Sequence, residues 1–256
     1  MTQNGSFVWY EYMAGDVARA AAFYSDVVGW RTDEHKMPGG VYTVFSAGER
    51  GVGGLMELPE AVRESGGRPG WIGYVLVDDV DRQAAKAVSL GGTIHRPADD
   101  IPGIGRFAVI ADPHGAVLVL FRDTSGMEQP PAPPMTAGTV GWHELYAGEW
   151  QSAFDFYQQM FGWEKTDAMD MGPMGTYQLF GLGGQSFGGM MTKPDAVPAP
   201  AWLYYFAVEG LDAAQRRVEA GGGQVLNGPM EVPGGAWIIQ CADPDGAAFA
   251  LVSCPR

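Results

Sequence analysis

The stretch FVWYEYMAGDVARAAAFYSDVVGW at residues 7–30 is repeated in outline as VGWHELYAGEWQSAFDFYQQMFGW at residues 140–163. Both copies begin with a β-branched and aromatic run, turn at AGD or AGE, and continue into a helical pattern that contains FY and closes with GW. Tyr24 corresponds to Tyr157, an offset of 157 − 24 = 133 residues. The pattern predicts a strand followed by a helix that ends at a glycine, twice in the chain.

The repetition continues to the end of each copy. The turn ADPHG corresponds to ADPDG, with Asp112 matching Asp243 at an offset of 243 − 112 = 131. Within each copy, the sequence pattern predicts a strand, a helix and three strands, and then the same order again. We therefore predict an α+β chain of four βαβββ modules. We expect the proline-rich residues 125–139 to form a semi-rigid linker between a first domain, 1–124, and a second domain, 140–256.

The composition limits the partners of the protein. Lys and Arg total 16 while Asp and Glu total 30, so the formal charge is −14, which disfavours nucleic acid and anionic membrane surfaces. Two cysteines form no disulfide framework, and neither a basic leader nor a membrane-length apolar run is present. We expect a cytoplasmic protein without nucleic-acid or membrane partners, and a homodimer is left open.

The strand, the AGD or AGE turn, the helix with FY and GW, and the DP-x-G hairpin together resemble the vicinal-oxygen-chelate superfamily. This superfamily groups glyoxalase I, bleomycin-resistance proteins and extradiol dioxygenases. The W-x-E entry and the GG-containing strand look most like two-domain glyoxalase-like proteins of the hydroxylase type. The resemblance implies two tandem glyoxalase-like domains, in which pairs of modules form curved, cup-shaped sheets with the helices on the outside.

Enzymes of this superfamily hold a divalent metal through several His, Glu or Gln side chains. The resemblance maps the ligand positions onto Trp9, Gly54, Ile72 and Val119 in the first copy and onto Trp142, Gly189, Leu203 and Ala250 in the second. None of these residues is a metal donor, so we predict no metal ligand and no cofactor. One divalent metal at a displaced position is the alternative.

Side chains alternate between the two faces of a strand, so Glu11 and Glu144 share the cup face while His143 points away from it. A carboxylate that faces an apolar concavity is costly unless it is paired, solvated or protonated. Both glutamates are therefore candidate catalytic residues. The same alternation predicts these candidate ligand-binding residues: Trp9, Met56 and Tyr74 in the first copy, and Trp142, Met191 and Tyr205 in the second.

Three functions fit this pattern. The first is metal-free binding of a small organic molecule by a sequestering or sensing protein, which explains the missing ligands most directly. The second is a lyase, dioxygenase or hydroxylase that uses a displaced metal or a pocket glutamate as general base. In the third, one copy binds the ligand and the other copy supports it. The alternative is a purely structural role, in which the glutamates hold neighbouring segments through hydrogen bonds while Trp and Met fill the core.

Overall fold

The computed structural model describes residues 3–37, 40–126 and 130–256. Residues 127–129 of the predicted linker lie outside the described residues, as do residues 1–2 and 38–39 of the predicted first domain. None of the helices in the described ranges combines the length and the apolarity that crossing a bilayer requires.

The first copy contains two successive modules. The first module consists of β1 (Phe7–Ala14), α1 (Val17–Val28), β2 (Arg31–Met37), β3 (Gly40–Ala47) and β4 (Arg50–Glu57). A short helix that the sequence did not predict, α2 (Glu60–Glu64), leads to the second module. This module consists of β5 (Gly70–Leu76), α3 (Val80–Ser89), β6 (Thr93–Ile101), β7 (Gly105–Ala111) and β8 (Val117–Asp123).

The second copy repeats this order. Its first module consists of β9 (Val140–Ala147), α4 (Trp150–Phe161), β10 (Glu164–Asp170), β11 (Thr176–Leu182) and β12 (Gln185–Thr192), with a 3₁₀ turn at Gly172–Met174. Its second module consists of β13 (Ala201–Ala207), α5 (Leu211–Ala220), β14 (Gln224–Glu231), β15 (Trp237–Ala242) and β16 (Ala248–Ser253). The predicted α+β class and the four βαβββ modules are confirmed.

The strands form two eight-stranded sheets of matching order. One has the order β2-β3-β4-β1-β5-β8-β7-β6, and the other has the order β10-β11-β12-β9-β13-β16-β15-β14. In each sheet the first strand of the copy runs parallel to the fourth, which places Glu11 beside Gly54 and Glu144 beside Gly189. Side chains at such paired positions lie on the same face of a sheet.

The helix that follows the first strand of each copy ends at the glycine that the sequence predicts. Asp16 caps α1 by accepting a hydrogen bond from the backbone of Arg19, and the helix ends at Gly29 with φ 88°. Glu149 caps α4, which ends at Gly162 with φ 74°. Glycine adopts this left-handed backbone without steric cost, so it ends the helix at the residue before the Trp of each GW pair.

The chain packs as two compact units. Unit 1 comprises Met1–Val8, Ile72–Pro131 and Trp142–Trp202, and unit 2 comprises Trp9–Trp71, Ala132–Gly141 and Leu203–Arg256. Each unit therefore combines one module from each copy of the repeat. The predicted domains 1–124 and 140–256 follow the sequence repeat instead of the packing, and they stay a prediction.

A buried carboxylate organises unit 2. Asp243, in the DP-x-G turn, is 5% exposed. Its Oδ1 accepts hydrogen bonds from the backbone N–H groups of Asp245 and Ala247, each at 2.9 Å. Its Oδ2 accepts from the hydroxyl of Tyr24 at 2.9 Å and from that of Tyr12. One carboxylate thus fixes a turn of the second copy and binds a strand and a helix of the first.

Asp112 has the same role in unit 1. Its Oδ1 accepts from two backbone N–H groups of its own turn, both at 2.9 Å, and its Oδ2 accepts from the hydroxyl of Tyr157 at 3.1 Å. The second copy has Leu145 where the first has Tyr12 (145 − 133 = 12), so this carboxylate lacks the second phenol. The tyrosine of each FY motif therefore donates a hydrogen bond to the aspartate of the DP-x-G motif in the other copy.

The tryptophan of each GW pair makes a second contact between the copies. In unit 1, Trp163 Nε1 donates to the backbone oxygen of Gly5 at 2.8 Å. In unit 2, Trp30 Nε1 donates to that of Gly138 at 2.7 Å. Each bond links the end of a helix in one copy to the segment that precedes the first strand of the other copy.

Replacing Asp243 by Ala removes the acceptor of three buried donors, which are two phenols and the N–H of Ala247, and of the part-buried N–H of Asp245. Each unpaired buried donor costs about 1–3 kcal/mol, so we expect the free energy of unfolding to fall by about 3–5 kcal/mol. Asp112→Ala removes one phenol contact fewer than Asp243→Ala does. Its fall in the free energy of unfolding should therefore be smaller by about 1 kcal/mol. Urea unfolding followed by far-UV circular dichroism measures both changes.

Two further variants calibrate this experiment. Tyr24→Phe keeps the ring and removes one hydrogen bond, which should cost about 1 kcal/mol. Asp26→Ala changes an exposed carboxylate of α1 and should have little effect. A loss for Asp243→Ala no larger than that for Asp26→Ala would contradict the organising role of the turn.

Candidate functional site

A hydrogen-bonded chain of three side chains lies on one face of the first module. Trp9 Nε1 donates to the hydroxyl of Tyr42 at 3.0 Å, and this hydroxyl in turn donates to the carboxylate of Glu11. The Glu11 residue is only 9% exposed. We call Trp9, Tyr42 and Glu11 the Glu11 cluster, and the sheet face that carries it the glutamate face.

The second copy builds the same chain. Trp142 Nε1 donates to the hydroxyl of Tyr177 at 2.8 Å, and Tyr177 donates to Glu144 Oε2 at 3.0 Å. Glu144 is 7% exposed. We call these three residues the Glu144 cluster. In each copy, a buried carboxylate thus accepts a hydrogen bond from a tyrosine hydroxyl, and that hydroxyl accepts a hydrogen bond from a tryptophan N–H.

The tyrosine of each cluster comes from a strand that is not a neighbour of the strand with the glutamate. In the first sheet, β4 lies between β3 and β1, so the Tyr42 ring reaches Glu11 across β4. It crosses at Gly54, where a β-carbon would overlap with the tyrosine hydroxyl. Gly189 has the same relation to the Tyr177 ring. The absence of a side chain at these two positions makes the clusters possible.

The glycine that precedes each of these positions serves the opposite face. A β-carbon at Gly53 would lie 2.8 Å from the backbone oxygen of Tyr10, and one at Gly188 would lie 2.6 Å from that of His143. Both distances are too short for a real side chain. The glycine pair in the fourth strand therefore lets the neighbouring backbone approach on one face and the tyrosine lie on the other.

The residues at the mapped positions do not fit the metal that the superfamily resemblance implies. At the fourth-strand position there is no side chain, and a tyrosine hydroxyl fills the space beside it. The final-strand positions Val119 and Ala250 pair with Tyr74 and Tyr205 and carry no donor. Among the residues that the structure describes, no three His, Cys, Asp or Glu side chains are grouped to hold an ion.

The remaining predicted ligand-binding residues divide into two sets. Met56 pairs with Met13 and Met191 pairs with Tyr146, which places both on the glutamate face of their module. Tyr74 packs edge-on against Phe121 in unit 1 with ring centroids 5.9 Å apart.

Tyr205 accepts a hydrogen bond from Gln240 Nε2 at 2.7 Å in unit 2. Tyr205 and Tyr74 each belong to a different unit from the cluster of their own copy. Their assignment to a site with that cluster stays a prediction.

Tyr42 and Tyr177 were not among the predicted site residues. The signal was present in the repeat, because VYTVFS and TYQLFG align these two tyrosines at an offset of 177 − 42 = 135. Periodicity showed that both belong to strands, but it did not show that their rings cross a neighbouring strand to reach a glutamate.

Both cluster tyrosines stay protonated. Burial is the largest cause that raises the pKa of Tyr42 and Tyr177, and the negative charge of the neighbouring glutamate raises it further. Donation from the tryptophan N–H acts in the opposite direction and is the smaller effect. Each phenol therefore remains a hydrogen-bond donor to its carboxylate.

His143 lies on the face opposite to Glu144, as the alternation predicts. Its ring stacks on Phe7 with centroids 4.2 Å apart, and its Nδ1 donates to the backbone oxygen of Phe187 at 2.7 Å. Burial lowers the pKa of His143 to about 4. The histidine is a neutral part of the core packing of unit 1.

Comparison with known proteins identifies the family. The chain matches the description Glyoxalase/Bleomycin resistance protein/Dioxygenase superfamily over residues 6–120 and 139–251. It belongs to this superfamily. The two matched segments coincide with the two copies of the repeat, so the predicted tandem of glyoxalase-like domains is confirmed.

Curated relatives cover nearly the whole chain. The chain is 31% identical over 252 residues to "Putative glyoxylase CFP32" of Mycobacterium tuberculosis (strain CDC 1551 / Oshkosh), with 98% of this chain and 95% of the relative aligned. It is 30% identical over 260 residues to the anthracycline biosynthesis protein DnrV of Streptomyces peucetius, with 97% and 93% aligned.

Solved structures share the fold at low sequence identity. The Mn(II)-bound glyoxalase from Novosphingobium aromaticivorans matches with a TM-score of 0.66 and 17% identity, over 99% of this chain and 83% of that one. The homoprotocatechuate 2,3-dioxygenase from Brevibacterium fuscum matches with a TM-score of 0.68 and 15% identity, over 99% and 82%. At these identities the likeness shows the fold alone.

Gly54→Ala and Gly189→Ala test whether the tyrosines depend on the glycines beneath them. A methyl group at either position forces the ring away from its glutamate, and overpacking of this kind costs about 2 kcal/mol of unfolding free energy. Urea unfolding measures the loss. The matched control is Gly70→Ala, because an added β-carbon there meets open space. Equal stability of all three variants would contradict the close approach.

The low pKa of His143 predicts a pH dependence of stability. Its folded pKa of about 4 lies below the ordinary value of 6.5, so between these values the unfolded chain binds more protons than the folded chain. Stability is therefore full above about pH 6.5 and falls by up to about 3 kcal/mol as the pH drops to about 4.

His143→Tyr checks this dependence, because it introduces the residue that the first copy has at Tyr10. The variant should lose less unfolding free energy than the wild type as the pH falls through this range. His35→Tyr changes an exposed histidine of β2 and should keep the wild-type slope. Parallel pH profiles for wild type and His143→Tyr would rule out the assignment.

Proposed function

We propose that the protein binds a planar aromatic organic molecule at each of its two clusters without a metal ion. The observation that carries this proposal is the duplicated Trp–Tyr–Glu chain on the glutamate face. A carboxylate beside aromatic rings suits a ligand that combines a flat ring system with a cationic or hydroxyl group. The glutamates Glu11 and Glu144 are then the polar anchors, and Trp9 and Trp142 are apolar walls.

The curated relatives support a specific ligand class. Two Streptomyces relatives at 30% identity are named anthracycline biosynthesis proteins. Anthracyclines are planar polycyclic compounds with phenolic hydroxyl groups and, in many cases, a basic amino sugar. Such a ligand offers a flat surface to the tryptophans and a donor to the carboxylates. We therefore infer that the ligand of this protein is a polycyclic aromatic compound of the same chemical type.

The surroundings of the protein are part of the same proposal. We place it in the cytoplasm, where Cys241 and Cys254 remain the free thiols that the structure shows. A formal charge of −14 supports a small-molecule partner instead of nucleic acid or an anionic membrane. A homodimer is compatible with this function and is not needed for it, because each cluster is built within one chain.

Titration with daunorubicin, followed through its own fluorescence, tests the proposal. Wild-type protein should bind about two equivalents, and prior removal of metals with EDTA should leave binding unchanged. Glu11→Gln and Glu144→Gln should each weaken one of the two sites about tenfold, because a hydrogen bond to a charged acceptor contributes about 1.5–3 kcal/mol. Both variants should keep the wild-type circular dichroism spectrum.

Glu57→Gln is the matched control for this titration. Glu57 ends β4, and its side chain is 74% exposed, so its replacement should not change binding. Wild-type affinity in the Glu11→Gln/Glu144→Gln double variant would sink the assignment of the two glutamates. Loss of binding after EDTA treatment, with recovery on addition of Mn²⁺ or Zn²⁺, would replace the metal-free site by a displaced metal site.

A further inference from the structure

Three methionines occur close together where β10 turns into β11. They are Met169, Met171 and Met174, in the stretch MDMGPM at residues 169–174. Met171 is 36% exposed and Met174 is 54% exposed, while Met169 is half-buried. Methionine belongs to the residue types that are most often buried, so two exposed methionines within one turn are unusual. This hairpin therefore carries thioether groups that stand outside the core.

The first copy has no such group of methionines. The offset between the copies is 163 − 30 = 133 at the GW pairs and 177 − 42 = 135 at the two cluster tyrosines, so the hairpin of the second copy is two residues longer. The corresponding stretch of the first copy, KMPGGVY at residues 36–42, contains a single methionine, Met37. The added length and the added methionines thus occur at the same place.

Backbone hydrogen bonds close the turn that carries the methionines. The N–H of Met171 donates to the backbone oxygen of Gly175 at 2.8 Å, and the N–H of Gly175 donates to that of Gly172 at 2.9 Å. Residues three apart in a 3₁₀ turn lie above one another, which brings Met171 and Met174 to one side. Met169 is two positions before Met171, so the alternation along the strand gives it the same side.

The surroundings of the three methionines are acidic. Asp167 and Asp170 are exposed residues of the same strand, β10. Asp170 Oδ1 accepts from the backbone N–H of Gly172 at 2.9 Å, so this carboxylate lies directly beside the turn. The lysine of this strand, Lys165, lies over the rings of Trp150 and Phe154. The local charge therefore favours a cation.

Thioether sulfur selects soft metal ions. Cu(I) prefers thiolate and thioether ligands, whereas Mg²⁺ and Ca²⁺ prefer oxygen ligands. A thioether is uncharged and has no proton to lose, so it binds a metal ion without releasing a proton. Because each thioether is a weak ligand, several of them must bind the same ion. Three thioethers on one side of a closed turn meet this requirement.

We propose that Met169, Met171 and Met174 form a binding site for one soft monovalent cation, Cu(I). The three sulfur atoms donate electron pairs to the ion, and its oxidation state does not change. The site is separate from the divalent-metal positions that the superfamily resemblance implies. It also does not depend on the proposed binding of an aromatic molecule.

Titration with Ag(I) of protein labelled with ¹³C at the methionine methyl groups tests this proposal by NMR. Ag(I) has the charge and the ligand preference of Cu(I) and is stable in air. Cys254→Ser is the parent protein, because the exposed thiol of Cys254 would compete for the ion, whereas Cys241 is fully buried. The signals of the three methionines should shift together and saturate at one equivalent, and the other ten of the 13 methionines should keep their signals.

Leucine variants of the parent protein remove the sulfur atoms and keep the apolar side chains. Loss of a supporting group around a metal commonly costs about 10–100-fold in affinity, so Met171→Leu and Met174→Leu should each weaken binding at least as much. Anaerobic competition with bicinchoninate should show the same loss for Cu(I). Met37→Leu is the matched control, since it changes the single methionine of the equivalent hairpin, and it should bind like the parent.

Three outcomes would overturn the site. The first is a shift of only one of the three methionine signals at saturation. The second is parental affinity in the Met169→Leu/Met171→Leu/Met174→Leu variant, provided that its circular dichroism spectrum is that of the parent. The third is an equal shift of the three signals with Mg²⁺, because the turn would then respond to positive charge and not to a soft metal ion.

Discussion

A buried carboxylate in each DP-x-G turn holds the duplicated chain together. Asp243 and Asp112 cannot be buried without several donors, because an unsolvated charge is costly. Their own turns supply two backbone N–H groups, and the phenols Tyr24 and Tyr157 come from the helix of the other copy. Each copy thus donates a hydrogen bond to the buried aspartate of the other copy. In each compact unit, a module of one copy packs with a module of the other.

This constraint also fixes the candidate site. Tyr12 binds Asp243 from one face of β1, so Trp9 and Glu11 must lie on the opposite face, since a slip by one residue would exchange the faces. The same strand therefore carries a structural residue toward the helices and a candidate site residue away from them. Gly54 then allows the contact between Tyr42 and Glu11, because only a residue without a side chain lets Tyr42 reach the glutamate.

The fold by itself does not specify what these clusters do. The glyoxalase that matches at a TM-score of 0.66 is described with Mn(II) bound, whereas the mapped ligand positions in this chain are occupied by residues such as Trp9 and Val119, which offer no metal donor. A scaffold can keep its topology while the side chains on its sheets change their chemistry. The function is therefore argued from the carboxylates, the phenols and their hydrogen bonds.

The sequence by itself determined the four modules, the helix ends and the face of each first strand, because strand and helix periodicity are local properties of the chain. It placed Glu11 and Glu144 opposite the helix-facing residues without any contact being known. Only the tertiary structure decided that Tyr42 and Tyr177 bind these glutamates, and that each helix tyrosine binds an aspartate of the other copy. Such contacts join residues from 31 (42 − 11) to 219 positions apart in the chain, and local periodicity carries no information about which distant partner a side chain meets.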